Sequence, residues 1–462
     1  MFISKEAKLY KILNIMEKPI LYIGVLLIII EGPSVYSYAQ FGFSWLVNVF
    51  RIIIAILFSL LILINILRGQ IDKSMIFRWL ILCIVYYFIV FIELLATFRF
   101  IGVGGYIYFY AISLPLLFTY LYLKICNKEG NDFLYAFSDI VFVIAVISLF
   151  FWFFGSTLGI ISTDESIIVS FGEPFESPSY LGIYFEHQTV DIFGIKNVIR
   201  NQGIFCEGPL YAACLSLALC VEIYMRPWKR TVVNSGSFIQ KIRQFNILKV
   251  AVFYVTLITT LTTTGYIVAV VTFISMFFLY PIRWKNILKY KIIFGIVLFI
   301  VAAILISFII IKKSDSMSFR IRIDDCLACL KAWITSPIFG VGAMNTENIL
   351  EYISEFRAFN YGLSSGLGNV FAQGGIIFLI IYIVPLLYWI VNAIRNRNWW
   401  MVFFPIVFIM IFVLTLIDHI TLTMSILAVG YANIIVKGKS SMFYFPKKIK
   451  IDDKGQSVSA SC

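Results

Sequence analysis

Residues 292–320 read IIFGIVLFIVAAILISFIIIKKSDSMSFR. The first part of this stretch, 292–311, is an apolar run, and about 20 apolar residues suffice for a helix to cross a bilayer. At Lys312 the composition changes, and the chain then stays largely polar to about residue 369. The stretch therefore predicts a membrane span that ends in a long polar loop.

The composition of the whole chain extends this pattern. Of 462 residues, 61% are hydrophobic and 13% are charged, and the mean hydropathy is +0.93. A soluble core does not need so much apolar surface, so the composition predicts an all-α, polytopic integral membrane protein. Apolar runs predict twelve transmembrane helices, near 19–31, 45–67, 76–98, 102–123, 134–160, 204–225, 248–263, 265–281, 292–311, 370–393, 399–417 and 420–436.

The basic residues predict how these helices are oriented. With the N-terminus in the cytoplasm, 27 Lys and Arg residues fall in cytoplasmic segments and 9 in outer ones. By the positive-inside rule, both termini are then cytoplasmic, and the polar loops at about 161–203 and 312–369 face outward. The cytoplasmic segments explain most of the net charge of +12, so nucleic acid is not an expected partner. We expect one transmembrane domain, 1–436, and a polar cytoplasmic tail, 437–462.

The two outward-facing loops differ in composition. The shorter loop is rich in Asp and Glu and has prolines at 174 and 178, which predicts an irregular surface loop. In the larger loop, helical spacing predicts an amphipathic helix with the apolar stripe Ile323, Leu327, Leu330 and Ile334. A second amphipathic helix is predicted after the N-cap Thr346, with the stripe Ile349, Leu350, Ile353 and Phe356. Both helices are expected to lie along the membrane surface.

Arg200 and Glu207 close the shorter loop and open the sixth predicted span. The planar fork of an arginine suits phosphate oxygens and stays charged. Glu207 is predicted to lie about one turn into an apolar helix, where desolvation raises the pKa of a carboxyl toward that of a useful acid or base. The alternative is a snorkelling arginine beside a glutamate that the helix dipole favours. The spacing alone leaves both interpretations open.

Arg320 and Arg322 open the first amphipathic helix of the larger loop. Attraction to anionic lipid head groups is the alternative to a role in a substrate site. Asp324 and Asp325 follow, but neighbouring acids on a helix are expected to point in different directions. A hard cation also needs more oxygen ligands than this pair supplies. The sequence therefore predicts no metal ion and no other cofactor.

Other ionisable residues lie within or between the apolar spans. Arg51 and Glu93 are predicted to lie about one to two turns below the outer surface, where charges are costly unless paired or facing water. A mutual ion pair is therefore predicted, with a substrate contact as the alternative. His187 in the shorter loop, and His419 beside Asp418 in a tight turn, are predicted to be solvated surface residues.

Three motifs resemble a known family. The segment Arg200-x-x-Gly-x-Phe-x-Glu207, followed closely by Pro209, resembles the outer-loop signature of bacterial O-antigen and capsular-polysaccharide repeat-unit polymerases of the Wzy type. Arg322, followed by Trp333 and the segment 336–342 (SPIFGVG), resembles a second signature, which O-antigen ligases share. The segment 374–377 (GGII) resembles the end of this loop in both. The resemblance covers residues 200 to 390 and the overall number of spans.

The resemblance implies a fold and a reaction. The fold would be GT-C-like, in the cytoplasmic membrane of a bacterium. A growing glycan would leave its undecaprenyl-diphosphate carrier and join a sugar hydroxyl on a lipid-linked repeat unit, building O-antigen, capsule or exopolysaccharide. The partners would be undecaprenyl-diphosphate-linked oligosaccharides and the lipid bilayer, and a chain-length regulator is a candidate partner.

The resemblance also implies roles for single residues. Fixed arginines at the leaflet surface would stabilise the charge that develops on the diphosphate leaving group, and Arg200 and Arg322 are expected to converge there. The sugar hydroxyl is a poor nucleophile, so a positioned base would help, and Glu207 is the candidate. The candidate substrate-binding residues are Arg320, Arg357, Arg51 and Asn369.

Two other functions stay open. The sequence has Glu207-Gly-Pro209 where the family pattern has Glu-Pro, and Ser364-Ser365 where many relatives have His-Asn, which weakens the case for a ligase. A lipid-linked oligosaccharide flippase is the alternative from another class of protein. It would be expected to show internal repeats, short loops and charges at mid-membrane. No repeat is visible, and the ionisable residues gather near the outer face.

Overall fold

The computed structural model describes residues 2–39, 46–68, 73–98, 102–127, 129–171, 174–192, 195–226, 247–279, 317–357 and 362–436. These residues are mostly helical. The main helices are α1 (Phe2–Glu31), α2 (Leu46–Arg68), α3 (Lys73–Thr97), α4 (Val103–Cys126), α5 (Asp132–Thr157), α6 (Gly208–Met225), α7 (Ile247–Thr259), α8 (Thr263–Leu279), α9 (Met317–Thr335), α10 (Gly366–Arg395), α11 (Trp399–Leu414) and α12 (Thr421–Ile435).

The apolar helices support a membrane protein built from α-helices. Within the described ranges, seven helices are long and apolar enough to cross a bilayer, and α7, α8, α11 and α12 are shorter apolar helices. All of them overlap spans that the sequence predicts. The ninth predicted span, 292–311, and the tail after residue 436 lie outside the described residues. The number of twelve spans therefore stays a prediction.

Helix α6 lies at the centre of the bundle. It packs against α5, α7, α8 and α11, and nearly every side chain from Gly208 to Met225 is buried. A helix that is apolar all round is buried inside a large protein, and small residues such as Ala212 and Ala213 let neighbouring helices approach closely. The residue that caps α6 is therefore held by one of the most buried helices that the structure describes.

The prolines of the shorter polar loop predicted an irregular loop, but the structure shows β-strands there. It contains β1 (Ser166–Val169), β2 (Phe175–Tyr180) and β3 (Tyr184–Phe185) in one antiparallel sheet, and the hairpin of β4 (Thr189–Ile192) and β5 (Ile195–Ile199). Proline can join a strand where only its carbonyl is needed. Pro178 does this, because its carbonyl accepts from the N–H of Glu186 at 3.1 Å.

The larger loop contains one long helix, α9, and not two. The predicted apolar stripe of α9, which includes Leu327, is exposed, and the opposite face with Ala328 and Ala332 packs inward. The second predicted helix is a single turn, Glu347–Leu350, and the side chain of Thr346 makes no capping hydrogen bond. The backbone of Thr346 is already helical, whereas an N-cap residue has extended backbone.

Two glycines let the larger loop cross helix α10. Gly340 (φ +70°) and Gly375 (φ +56°) both adopt the left-handed backbone that glycine favours, and α10 is broken at Gly375. The N–H of Val341 donates to the carbonyl of Ala372 at 2.9 Å. A Cβ on Gly340 would lie 2.2 Å from the backbone oxygen of Gln373. This crossing fixes the first turns of α10.

Candidate functional site

Several distant segments meet at one end of the helix bundle. The chain after α1 pairs with the segment before α6, because the N–H of Val35 donates to the carbonyl of Ile204 at 2.9 Å. The start of α12 is tied to the end of α1, because the N–H of Thr421 donates to Glu31 Oε2 at 3.2 Å. The shorter loop and the connection between α11 and α12 therefore lie together, and Arg322 of the larger loop joins them through its hydrogen bond to the carbonyl of Leu414.

The segment that carries Arg200 is held by its backbone and by neighbouring helices. The N–H of Arg200 donates to the carbonyl of Gln188 at 2.9 Å, and the N–H of Asn201 donates to the carbonyl of Thr259 at 3.0 Å. Gly203 follows with φ +58°, and a Cβ there would lie 3.0 Å from the ring of Tyr211. The arginine is thus presented by a rigid turn against α6 and α7.

Arg200, Glu207 and Arg322 converge, as the sequence predicted. The prediction that Glu207 lies one turn inside a helix is wrong, because the helix begins only at Gly208; Glu207 has extended backbone and is the N-cap residue of α6. Its carboxylate interacts electrostatically with both arginines, and the charges of Arg200 and Arg322 also act on each other. Burial raises the pKa of Glu207, and the two arginines oppose this shift. The Arg200 side chain also lies over Gly208, where an added Cβ would be 3.5 Å from Arg200 Cδ.

Neither arginine of this cluster forms a close ion pair. Among the described residues, no carboxylate oxygen lies within 4.0 Å of a guanidinium nitrogen of Arg200 or Arg322. Arg322 Nη1 donates to the carbonyl of Leu414 at 3.0 Å. In contrast, other arginines of the described chain do pair closely with acids: Arg51, Arg68, Arg226 and Arg357.

Two buried donors of the same segment also lack an acceptor. Arg200 Nε and Gln202 Nε2 find no hydrogen-bond partner within the described part of the chain. A buried donor left unsatisfied costs about 1–3 kcal/mol. Together with the unpaired arginines, this leaves a concentration of N–H donors and positive charge. We call Arg200, Gln202, Glu207 and Arg322 the anion site.

Arg51 pairs with Glu31 and not with Glu93, so the predicted ion pair is wrong. Arg51 Nε lies 2.8 Å from Glu31 Oε1, and the guanidinium carbon lies 4.8 Å from the centre of the Phe109 ring. Glu93 instead accepts a hydrogen bond at 3.0 Å from the hydroxyl of Thr97, one turn further along the same helix. The end of α1 packs against the start of α2, and this contact places Glu31, rather than Glu93, beside Arg51.

Arg357 is buried and holds the larger loop together. Arg357 forms an ion pair with Asp325, and its Nη1 also lies 3.5 Å from Asp324 Oδ2. Its Nη2 donates to the carbonyl of Gly362 at 2.7 Å. The expectation that the two acids diverge is wrong, because both reach this one guanidinium. Arg320, also predicted to bind substrate, is exposed with its guanidinium carbon 5.7 Å from the Phe356 ring centre. Neither arginine contributes to the anion site.

Asp418 and His419 belong to a buried polar network and are not solvated surface residues. Asn369 Nδ2 donates to Asp418 Oδ2 at 2.5 Å, and Gln373 Nε2 donates to Asn369 Oδ1 at 3.0 Å. His419 Nε2 lies 2.7 Å from Gln373 Oε1, and His419 Nδ1 lies 3.0 Å from the hydroxyl of Tyr110. We call these five residues the Asp418 network.

The direction of the hydrogen bonds in this network follows from two groups, the Asp418 carboxylate and the backbone N–H of Met344. A carboxylate can only accept, so Asn369 must turn its NH₂ group to Asp418 and its oxygen to Gln373. Gln373 then turns its own NH₂ to Asn369, and its oxygen accepts the N–H of Met344 at 2.9 Å. The nitrogen of His419 that faces this oxygen must therefore carry a proton.

His419 is the neutral tautomer with its proton on Nε2. Burial lowers the pKa of His419, although the charge of Asp418 opposes the shift. Nδ1 of the neutral ring is then an acceptor, so the hydroxyl of Tyr110 donates to it. Tyr382 continues the network, because its hydroxyl donates to the carbonyl of Asp418 at 3.1 Å.

Tyr38 lies close enough to Glu31, Arg51 and Asp418 for their charges to act on its phenol. Sequence neighbours of Glu207 and of Asp418 line one apolar cavity, and these are Phe205, Leu210, Ile417 and Ile420.

Sequence reasoning missed several of these residues. Gln373 and Tyr110 resembled ordinary helix residues, because nothing nearby in sequence shows what they contact. The adjacent pair Asp418-His419 between two apolar helices was an available signal, since ionisable residues in such positions are often functional. His187 is exposed, as predicted, and stacks on Phe175 with ring centres 3.7 Å apart.

The chemistry of the site follows from its two halves. The anion site combines two arginine forks with unsatisfied N–H donors, which suits a ligand with phosphate oxygens. The Asp418 network places a carboxylate beside it. No group of three or more potential metal-binding side chains occurs in the described ranges. No model of a known protein family matches this chain, and no curated protein matches it.

Proposed function

We propose that this protein is a polysaccharide repeat-unit polymerase of the bacterial cytoplasmic membrane. It joins oligosaccharide units carried on undecaprenyl diphosphate, at the outer face of the bilayer. The proposal rests on the motifs around Arg200 and Arg322 and on the site that these motifs form. The outward orientation of the site follows from the positive-inside rule.

The observation that carries the proposal is the unpaired arginine pair. Arg200 and Arg322 belong to different loops, yet they approach each other although like charges repel. Two guanidinium groups that lie near each other, with no described carboxylate oxygen within 4.0 Å of either, are arranged for a ligand that carries more than one negative charge. A diphosphate has this charge, and its oxygens match the arginine fork.

The same arrangement favours the reaction. When the bond between the sugar and the diphosphate breaks, negative charge grows on the diphosphate, and donors already in place stabilise it. The two lipid-anchored substrates are held at one membrane surface, so much of the remaining rate gain comes from orientation. The donor already carries an activated leaving group, so the reaction needs no nucleotide sugar.

Glu207 lies on the leaving-group side of this site. Its carboxylate interacts with both arginines and helps to keep two positive charges together in the free protein. Glu207 thus positions Arg200 and Arg322 for the diphosphate, and it is one candidate for the base that activates the acceptor.

Polymer synthesis by the purified protein tests the proposal. The protein is reconstituted in vesicles with lipid-linked repeat units from the producing bacterium, and the products are separated on a gel. We expect wild type and Lys331→Ala to make a ladder, and Arg200→Ala and Arg322→Ala to make none. Lys331 is a matched control, because it is an exposed cation on the same helix as Arg322.

Other results would favour the other functions. Movement of repeat units across the vesicle bilayer without any ladder would indicate a flippase. Transfer of a finished glycan to a different lipid acceptor, again without a ladder, would indicate a ligase. Either result would overturn the proposed polymerase.

A further inference from the structure

The reaction proposed above needs a group that takes up a proton. The attacking sugar hydroxyl loses its proton as its oxygen bonds to the anomeric carbon of the donor. Glu207 is poorly placed for this task, because it interacts with the two arginines assigned to the leaving diphosphate. A base that serves the acceptor should lie beside the anion site and have an oxygen that no arginine of the site engages.

Asp418 is a second carboxylate at the same end of the bundle. It is 5% exposed, and its Oδ2 accepts the hydrogen bond from Asn369 Nδ2 at 2.5 Å. Its Oδ1 accepts no hydrogen bond from any residue that the structure describes. An ionised carboxylate has about four acceptor positions, so Oδ1 is free to accept a hydroxyl proton.

The position of Asp418 connects it to the anion site. Ile417, its neighbour in sequence, lines the same apolar cavity as Phe205, which lies two residues before Glu207. Arg322 of the anion site donates to the carbonyl of Leu414, four residues before Asp418. The carboxylate is therefore close to the anion site, near the helix that carries Arg322.

The rest of the network fixes the orientation of this carboxylate. Asn369 holds Oδ2, Gln373 holds Asn369, and Gln373 in turn is held by the backbone N–H of Met344 at 2.9 Å. His419 Nε2, which carries a proton, lies 3.3 Å from Asp418 Oδ2. All these donors engage Oδ2 or its partners, so the network leaves Oδ1 as the reactive oxygen.

We infer that Asp418 is the general base for the acceptor sugar hydroxyl, and that Asn369, Gln373 and His419 position it. This inference rests on the proposed function. In the step, the acceptor oxygen forms a bond to the anomeric carbon, and the bond from that carbon to the diphosphate oxygen breaks. The bonding electron pair leaves with the diphosphate, and the hydroxyl proton passes to Asp418 Oδ1. No atom is oxidised or reduced.

The test separates binding from turnover. Asp418→Asn keeps the size of the side chain but cannot take up the proton. We expect its polymerisation rate to fall by about 10²–10⁴-fold, the usual contribution of a general base. Binding of undecaprenyl diphosphate, measured by thermal shift of the purified protein, should stay as in wild type. In Asp418→Ala, added formate should restore part of the rate by supplying a carboxylate.

A positioning variant keeps the test decisive if the Asp418 variants do not fold. Asn369→Ala leaves Asp418 in place but removes the donor to Oδ2. We expect kcat to fall about 10-fold or more while the KM for the lipid-linked donor stays unchanged, because only the placement of the base changes. An unchanged kcat in this variant would overturn the inference.

The outcomes distinguish the base from the function itself. If wild type makes no polymer, the proposed function fails and the assignment of the base fails with it. If wild type makes polymer and Asp418→Asn makes it at a similar rate, only the assignment of the base is wrong. Loss of polymer together with loss of undecaprenyl diphosphate binding would place Asp418 in donor binding and would also overturn the inference.

Discussion

Arg322 lies close enough to Arg200 for their positive charges to act on each other, and both arginines interact with the carboxylate of Glu207. The two residues belong to different loops and are held by different elements. Arg322 is tied to the end of α11 through the carbonyl of Leu414, and Arg200 is tied to the hairpin of the shorter loop through Gln188. Two independently anchored cations form the proposed binding surface.

Replacing either arginine by lysine should cost activity even though the charge is kept. Lysine is a point charge and cannot make the paired hydrogen bonds of the guanidinium fork. A hydrogen bond to a charged group contributes about 1.5–3 kcal/mol, so one lost bond lowers kcat/KM by roughly 10- to 150-fold. Initial rates of polymer formation by Arg200→Lys and Arg322→Lys measure this. Wild-type rates in both would show that charge alone is enough.

The stability of the protein should depend on pH through Glu207. Burial raises the pKa of Glu207 above its ordinary value of 4.5, so the folded state binds its proton more tightly than the unfolded state. As pH rises from 4.5 through the pKa that Glu207 has in the folded protein, wild type should therefore lose stability relative to Glu207→Gln. The side chain makes no capping hydrogen bond, so the substitution removes no cap.

Thermal unfolding of the two proteins in detergent, at a series of pH values, measures the effect of Glu207. The difference in Tm should grow above pH 4.5 and then become constant. Parallel curves of Tm against pH for the two proteins would contradict the raised pKa. A wild type that gains stability relative to Glu207→Gln as pH rises would show that the pKa of Glu207 is lowered instead.

The tautomer of His419 can be observed directly. The chain has two histidines, His187 and His419, so a spectrum of labelled histidine nitrogens contains few signals. We expect His419 to be neutral at pH 7, with its proton on Nε2 and with Nδ1 as an acceptor. His187→Gln removes the other signals and assigns the spectrum. A proton on Nδ1 would contradict the direction that Gln373 and Asn369 impose.

The backbone crossing at Gly340 predicts a large loss of stability in Gly340→Ala. The new Cβ would meet the Gln373 backbone at 2.2 Å, and the left-handed backbone adds strain. Gly159→Ala is a matched control, because Gly159 also has a positive φ (+64°) but nothing lies within 4 Å. Gly104→Ala adds a Cβ in open space without positive φ and should be nearly neutral.

Melting temperatures of these glycine variants separate strain from steric conflict. We expect Gly159→Ala to cost about 1–3 kcal/mol, the usual cost of one strained residue, and Gly340→Ala to cost more. Equal losses in the two variants would show that the crossing of the loop and α10 contributes nothing beyond backbone strain.

The sequence predicted the parts of the site that local patterns determine. The approach of Arg200 to Glu207 follows from their positions in the short segment that leads into one buried helix, and the order of motifs placed Arg322 with them. The sequence also predicted the apolar helices, because their length and composition are local properties. These predictions needed no knowledge of which helices are neighbours.

The parts that the sequence did not predict depend on contacts between distant segments. Arg51 has Glu31 as its partner because α1 packs against α2, and no spacing rule shows this. His419 belongs to the polar network because its Nε2 contacts Gln373 Oε1. The backbone crossing at Gly340 in turn positions Gln373. The strands of the shorter loop were missed because prolines usually interrupt strands, whereas Pro178 supplies only its carbonyl.

The binding of a lipid diphosphate tests the central claim most directly. The affinity of the purified protein for undecaprenyl diphosphate is compared with that for undecaprenyl monophosphate, in wild type, Arg200→Ala, Arg322→Ala and Lys331→Ala. Wild type and Lys331→Ala should prefer the diphosphate, and the two arginine variants should lose this preference. An equal affinity for both lipids in wild type, or a preference that survives in both arginine variants, would contradict the assignment of Arg200 and Arg322.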